Sequence, residues 1–403
     1  MPATRNTQLQ SRPRRALRFV RWLTAAHVAG AAALWYLIWE VSESHWLGSV
    51  VTFLPRLPWL LPGVLLLVAS LLTRSKSFWI NLATTLFVLL AVAQFNVPWQ
   101  RWNEAASPSE QEGQTLQGTG AIDAQASGAA SAPRYSADIA ITGGLTPPRS
   151  PISSRTLRVV SCNVQHYTPD FGLVLREIQR AKPDLVALQE ASRPPRLLRD
   201  HFEDWHQVQV RGLWVASKWP LRLLGECQTD LFAHLSGISV EVDAPFGKFV
   251  LADLHLMTAR KSLVELRPLE LASGDSQLAL AGATVERMQE ARQVREFVTK
   301  HSAELPMIVV GDFNMPTSSS VYRAAFGDFT NAFDSSAWGF GFTAPCKRFR
   351  WWPTNTPWQR IDHILTNDSW QVHECHIGEW DGSDHRLIAA VFKLRIHPTR
   401  KGD

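Results

Sequence analysis

PMIVVGDFN, residues 306–314, is the stretch on which the reading of this chain turns. Met307–Val310 is a short apolar, β-branched run closed off by Pro306 and Gly311, the pattern of a strand buried on both faces. Its end carries Asp312 and Asn314, one on each side of Phe313. Alone, GDFN reads as a tight turn with Gly311 serving its backbone. Its weight depends on whether other strands end on polar residues too.

They do. LRVVSCNV (157–164) ends near Asn163, and DLVALQE (184–190) ends on Glu190. FGKFVLADLHLM (246–257) runs into His255. QRIDHILTN (359–367) carries Asp362 near its start, and DHRLIAAVFKLRI (384–396) opens on Asp384 and His385. GLWVASKWPL (212–221) and GISVEVDA (237–244) read as further strands. FGLVLREIQRAKPD (171–184) has helical periodicity stopped by Pro183, and VERMQEARQVREFVTKH (285–301) is a second helix. Strands dominate, with helices between several of them, which predicts a layered α/β domain with sheets at its centre.

Each polar residue has an ordinary reading by itself: Asn163 as a turn residue, His255 as a satisfied strand histidine, Asp384-His385 as two polar residues before a strand. Gathered at one rim, the set offers hard oxygen donors to a divalent cation and two imidazoles for proton transfer. Mg²⁺ is commonly held by one or two carboxylates with water and substrate phosphate, so Glu190 with Asn163 and Asp384 suffices. Cys162, Cys227, Cys346 and Cys375 form no CxxC pair, and neither zinc nor a disulfide framework is indicated.

RVVSCNV, PDLVALQE, GLWVASKWP, LADLHLM, PMIVVGDFN, QRIDHILTN and GSDHR follow one another over about residues 157–395. In that order they resemble the endonuclease/exonuclease/phosphatase, or deoxyribonuclease I-like, superfamily. The resemblance implies a four-layered α/β sandwich, two central mainly antiparallel sheets flanked by helices. It also implies Mg²⁺- or Mn²⁺-dependent hydrolysis of a phosphoester. Carried over by position, Asn163 and Glu190 match metal-site residues, and Asp384 matches the Asp placed near the metal. His385 matches the catalytic His, Asp362 the carboxylate that orients it, and His255 the second catalytic His. Asp312 and Asn314 match the pair that positions the attacking water or stabilises the transition state. Asp253 departs from the family, which often has a small polar residue or Asn there. By strand alternation it shares a face with His255, so it adds charge at the site or is turned away from it.

The N-terminal third has a different composition. Three apolar segments predict transmembrane helices at about 19–40, 50–73 and 77–99, within a membrane region spanning 1–103. Arginines at 5, 12, 14, 15, 18 and 21 precede the first, Glu40 and Glu43 follow it, and Arg74 and Lys76 lie between the second and third. The positive-inside rule then puts the N-terminus in the cytoplasm and the catalytic domain, 157–397, on the outer side. Arg56 is awkward there and is expected to snorkel at a membrane boundary. This arrangement is similar to the membrane-anchored bacterial branch of the same superfamily. Residues 104–156, rich in Ala, Ser, Gly, Gln and Pro, read as a flexible linker, with ADIAITGG (137–144) as a short strand.

The substrate is expected to be a phosphoester: nucleic acid, a phospholipid headgroup or a small phosphate. Residues 1–150 hold 12 basic and seven acidic residues, so the +5 net charge lies there and residues 151–403 are balanced at 29 of each. A neutral domain speaks against tight nucleic-acid binding. FGFTAPCKRFRWWPTNTPW (340–358), with three Trp among Lys347, Arg348 and Arg350, speaks for a phosphate-and-ring platform, and reads equally as a loop of packed aromatics. The connection 258–285 is expected to overhang the cleft. The lipid bilayer is the other expected partner, and no obligate protein partner is evident. The contrasting reading is a catalytically inactive binding module on the same fold.

Overall fold

The computed structural model describes residues 6–99, 156–167, 170–229, 235–259, 274–302, 305–348, 354–379 and 382–395. The predicted linker, up to residue 155, and the predicted strand at 137–144 lie outside them.

In chain order the strands are β1 (Thr156–Asn163), β2 (Leu185–Gln189), β3 (His206–Val210), β4 (Leu213–Ser217), β5 (Leu221–Gln228) and β6 (Leu235–Ala244). They continue with β7 (Gly247–His255), β8 (Met307–Asp312), β9 (Thr330–Asn331), β10 (Asp362–Thr366), β11 (Trp370–Ile377) and β12 (Ile388–Leu394). They form two six-stranded sheets, β11-β12-β1-β2-β4-β3 and β5-β6-β7-β8-β10-β9. β1–β2 and β7–β8 are parallel and the other pairs antiparallel.

The inner strands β2, β4, β8 and β10 are buried along their whole length because both faces are covered, whereas β3, β5 and β11 at the sheet edges carry exposed polar residues. Leu157 and Val159 of β1 point into the core between the sheets with Ile308 and Val310 of β8. Val160 and Cys162 point the other way, against Phe171, Val174 and Ile178 of a helix at Phe171–Ala181. That helix buries positions 171, 174, 175 and 178, a single apolar stripe. Asp170 caps its first turn by accepting from the Gly172 N–H, and it ends at left-handed Lys182, just before Pro183. Arg196–His201 lies on the same side, and Gly274–Ser302 and Ser320–Phe326 cover the second sheet. The expected sandwich of two sheets between helical layers is present. The helix predicted from 285 begins at Gly274, so the connection after His255 is shorter than expected.

The N-terminal module does not show the three expected spans: among the described residues one helix is long and apolar enough to cross a membrane, or two if a bent pair is one span. In chain order its helices are α1 (Asn6–Tyr36), α2 (Trp46–Phe53), α3 (Leu61–Leu72) and α4 (Ser77–Phe87). α1 runs on through a wide turn, so that Arg15–Ser44 is one 30-residue apolar helix, long enough to cross a membrane. The predicted second span is two pieces, Trp46–Phe53 and Leu57–Leu72, bent by 92°. Leu54 is extended before Pro55, as a residue preceding proline favours. Arg56 turns inward, donating to the carbonyls of Thr52 and Val92 and to the hydroxyl of Ser318 rather than snorkelling to a boundary. The third is Ser77–Val92, about 24 Å at 1.5 Å per residue and short of a ~30 Å hydrocarbon core.

The module is also docked on the sandwich. Glu43, 3% exposed, accepts the hydroxyls of Ser319 and Ser320, the backbone N–H of Ser320, and the guanidinium of Arg287 at 3.0 Å. Asn96 donates to the carbonyls of Phe333, Asp334 and Ala337 and forms a backbone bridge with Gly339.

Candidate active site

The register of the second sheet builds half of the site. His255 is level with Asp312, and Asp312 is level with Asp362, so three adjacent strands deliver three polar side chains in one row. Gly311 permits this packing. Its φ is +134°, and a Cβ there would stand 2.0 Å from the Leu254 carbonyl oxygen. In the first sheet Asn163 is level with Gln189, and Glu190 follows at φ 54°, a left-handed turn that swings its carboxylate over the rim.

One amide joins the halves. Asn163 Nδ2 donates to Glu190 Oε1 at 3.1 Å and to Asp312 Oδ2 at 3.0 Å. Its oxygen is turned away and accepts from the Gln165 N–H, so ligation by Asn163 would need the amide turned over. His255 Nε2 stands 3.8 Å from both Glu190 Oε1 and Asp312 Oδ2. His385 Nδ1 meets Asp362 at 2.9 and 3.1 Å, and its Nε2 lies 3.7 Å from Asp312 Oδ2. Ser383 holds this loop by donating to the Asn163 carbonyl.

Burial opposes the positive form of His385, but Asp362, Asp312 and Asp384 together outweigh it and push the imidazole up to about 10. Burial raises the Asp312 carboxyl, against the pull of His385 and His255. His363 is different. Burial and Arg360 push it down to about 3, and it sits neutral between the Met315 carbonyl and Asn331 as a structural residue.

Two candidates are placed less directly. Asn314 donates its backbone N–H to Asp312 Oδ1 and its amide to the Leu256 carbonyl, pinning the segment after His255. Asp384 forms an ion pair with Lys347 at 2.6 Å. Asp253 is fully buried and turned from the cleft, where Oδ1 accepts from Gln189 at 2.6 Å. Within the 340–358 stretch, Trp358 belongs to the joint with the N-terminal module, its indole N–H donating to the Phe53 carbonyl, and residues 349–353 lie outside the described residues.

The sequence reading missed two residues. His166 stands 3.5 Å from Glu190 on a turn whose three residues, Gln165–Tyr167, all have positive φ. Such a run is costly for L-residues, and no residue type there signals it. Glu290, buried in the Gly274–Ser302 helix, accepts the Met257 N–H, two residues past His255; one acid among Glu286, Glu290 and Glu296 on a charged helix reads as surface.

The donor chemistry suits a hard divalent cation. Glu190 is partly open, Asp312 lies beside it, and the ligand atoms of Asp312, Asp362 and His385 lie within 4.8 Å of one another. His385 Nδ1 is already engaged by Asp362, which leaves Glu190 and Asp312 as the better placed oxygen donors.

Comparison with known proteins bears on the family. Solved structures similar to this chain include an endonuclease/exonuclease/phosphatase from Beutenbergia cavernae, 17% identical, covering 61% of this chain and 73% of that one at a TM-score of 0.40. A 3' phosphatase from Neisseria bound to a product DNA hairpin is 16% identical over 60% of this chain and 100% of its own, TM-score 0.45. A mannosyl-6-phosphatase from Bacteroides thetaiotaomicron is 14% identical over 59% and 100%, TM-score 0.43. No curated protein matches. The model of the Endonuclease/Exonuclease/phosphatase family matches residues 160–385, more than half of the chain, from within β1 to His385. The chain belongs to the endonuclease/exonuclease/phosphatase family, whose members hydrolyse phosphoesters.

Proposed function

We propose that this chain is a membrane-anchored phosphoester hydrolase dependent on a divalent cation, Mg²⁺ or Mn²⁺. The observation that carries the reading is the Asn163 amide bonded to both Glu190 and Asp312, beside a His385–Asp362 pair. Glu190 with Asp312 would hold the cation, and Asp384 shares one carboxylate oxygen with Lys347. When bound, the cation supplies charge that polarises a phosphoryl oxygen.

The remaining chemistry belongs to the chain. Asp362 accepts from His385 Nδ1–H, which holds the ring and aims Nε2 at the cleft. A His385 held positive suits a phosphoryl oxygen gaining charge or a leaving oxygen needing a proton. Asp312, level with both His255 and Asp362 in the same row, suits the orientation of an attacking water beside the cation. His255, half-buried at the mouth, faces the same oxygens from the other side. Anchoring is supported by the 30-residue helix Arg15–Ser44. The N-terminal arginines then favour a cytoplasmic N-terminus with the catalytic unit on the outer side, as one crossing requires.

The test uses the full chain in detergent with bis-p-nitrophenyl phosphate. Hydrolysis should need added Mg²⁺ or Mn²⁺, stop with EDTA, and fall at least 10³-fold in Asp312→Ala and His385→Ala. Activity that survives EDTA or both substitutions overturns the proposal.

A further inference from the structure

The N-terminal module touches the sandwich at one end. Its contacts reach Ser318–Ser320, just past Asp312 and Asn314, and Gly339, Trp358 and Gln359, ahead of Asp362. Ser49 and Phe53 also share a small pocket with Ala259, four residues past His255. These segments belong to the rim where β7 and β8 end and β10 begins, which is the rim that carries the site.

The module stands on that rim in a definite sense. The C-terminal end of α1 meets the sandwich through Trp39 and Glu43, the turn after α2 through Arg56, and the chain after α4 through Asn96. Arg15, Arg18 and Arg21 at the start of α1 are at the far end, and Arg74 with Lys76 follow Ser70, which Asn81 ties to Thr24 of α1, away from the Trp39–Ala91 contact. The outer surface of the module is apolar, with Trp22, Leu65, Leu72 and Trp79 at least 60% exposed. Apolar exposure then continues onto the catalytic unit beside the joint. Leu278 and Val285, which flank the pocket-lining Leu280 and Thr284, are 72% and 65% exposed, and Trp338, next to Gly339, is 54% exposed. Patches of this kind mark a protein or membrane surface. Here the adjoining 30-residue apolar helix commits the occupant to a lipid bilayer.

We infer that the catalytic mouth opens onto the surface of the bilayer, and that its substrate is a phosphoester borne by a membrane lipid. This rests on the phosphoester hydrolase reading above and names the substrate class for that same site. A helix that crosses from the arginine end places the headgroup layer at the Trp39–Arg56 joint, level with the rim. A lipid phosphate reaches Glu190 and His255 from that layer, while a large soluble polymer has to enter beside it.

Two measurements on the full chain in bilayers test this. A fluorophore at Ser192→Cys, on the rim beside Glu190, should be quenched by headgroup spin-labelled phosphatidylcholine. A fluorophore at Pro245→Cys, in the turn at the opposite end of β7, should not be, because roughly 30 Å of strand separates the two. Equal quenching overturns the orientation. Vesicles of phosphatidylcholine, phosphatidylethanolamine and phosphatidylglycerol are then compared with bis-p-nitrophenyl phosphate and a DNA oligonucleotide at equal phosphate. Hydrolysis of vesicle lipid at least tenfold faster than either supports the inference. Hydrolysis of the soluble diester or DNA with vesicles untouched overturns it and leaves the hydrolase reading standing. Hydrolysis of none of them overturns both.

Discussion

His385 Nδ1 lies 2.9 Å from Asp362 Oδ2, although Asp384 is the neighbour of His385 in sequence. The ring is oriented from another strand, β10. Asp362→Asn keeps the size of the side chain but lets an amide face the ring nitrogen, which favours the wrong tautomer. A fall in kcat of about 10³–10⁴ with little change in KM is expected, by analogy with other His–Asp pairs. Steady-state kinetics beside a circular dichroism spectrum decides it. A parallel rise in KM with kcat intact would mean that Asp362 only helps to bind substrate.

Glu43 and Arg287 form an ion pair between module and sandwich, at 0% and 3% side-chain exposure. Removing one partner from such a pair leaves a buried charge uncompensated, at about 3–5 kcal/mol. Glu43→Gln should therefore lower the urea midpoint of the full chain strongly, and Glu43→Gln with Arg287→Met should recover part of the loss. If the double variant is no better than the single one, the pair is not coupled.

Asp253 Oδ2 and Gln189 Oε1 are buried without a hydrogen-bond partner, and burial holds the Asp253 carboxyl well above its usual range despite the bond from Gln189. An acid raised in the folded state is neutral in both states below its unfolded value near 3.8. As pH rises above that value the unfolded chain ionises first, so the native state loses stability until the folded group also titrates. Asp253→Asn carries no such penalty, and its amide can serve the Gln189 oxygen. Its Tm should exceed the parent's at pH 7 by an amount equivalent to about 1–3 kcal/mol, with the gap closing by pH 3.5. A gap that does not change with pH would show that Asp253 is not the titrating group.

Gly311→Ala puts a methyl group 2.0 Å from the Leu254 carbonyl oxygen, at a φ of +134°. β7 and β8 cannot both keep their places, and the His255–Asp312 row opens. Loss of soluble, folded protein is the expected outcome. A folded variant with near-parental activity would show that the two strands can move apart.

What was legible in the sequence was the placement of polar residues at strand ends, because a two-sided apolar strand shows plainly where it stops. His385, Asp362, Asp312, Asn163, Glu190 and His255 meet for that reason. Side-chain direction was not legible. Asn163 presents its nitrogen to the cleft and Asp253 points into the core, choices made by cross-sheet partners that no local pattern names. The bend after Phe53 was hidden because hydropathy averages over Pro55 and Arg56. The partner that draws Arg56 inward, Ser318, is more than 260 residues away in the chain. Glu43 read as a loop charge for the same reason.

The joint between module and sandwich makes the protein a pair of interlocking parts held by more than the chain that connects them. Asn96, Arg56 and Glu43 grip the catalytic unit directly, while the peptide that connects the two runs from Gln100 to Arg155. A protease cutting within that peptide would leave two fragments that still co-purify and remain active together. Conversely, residues 156–403 expressed alone would present bare Arg287 and Ser318–Ser320 to water, a sandwich missing the piece that stands on its working end.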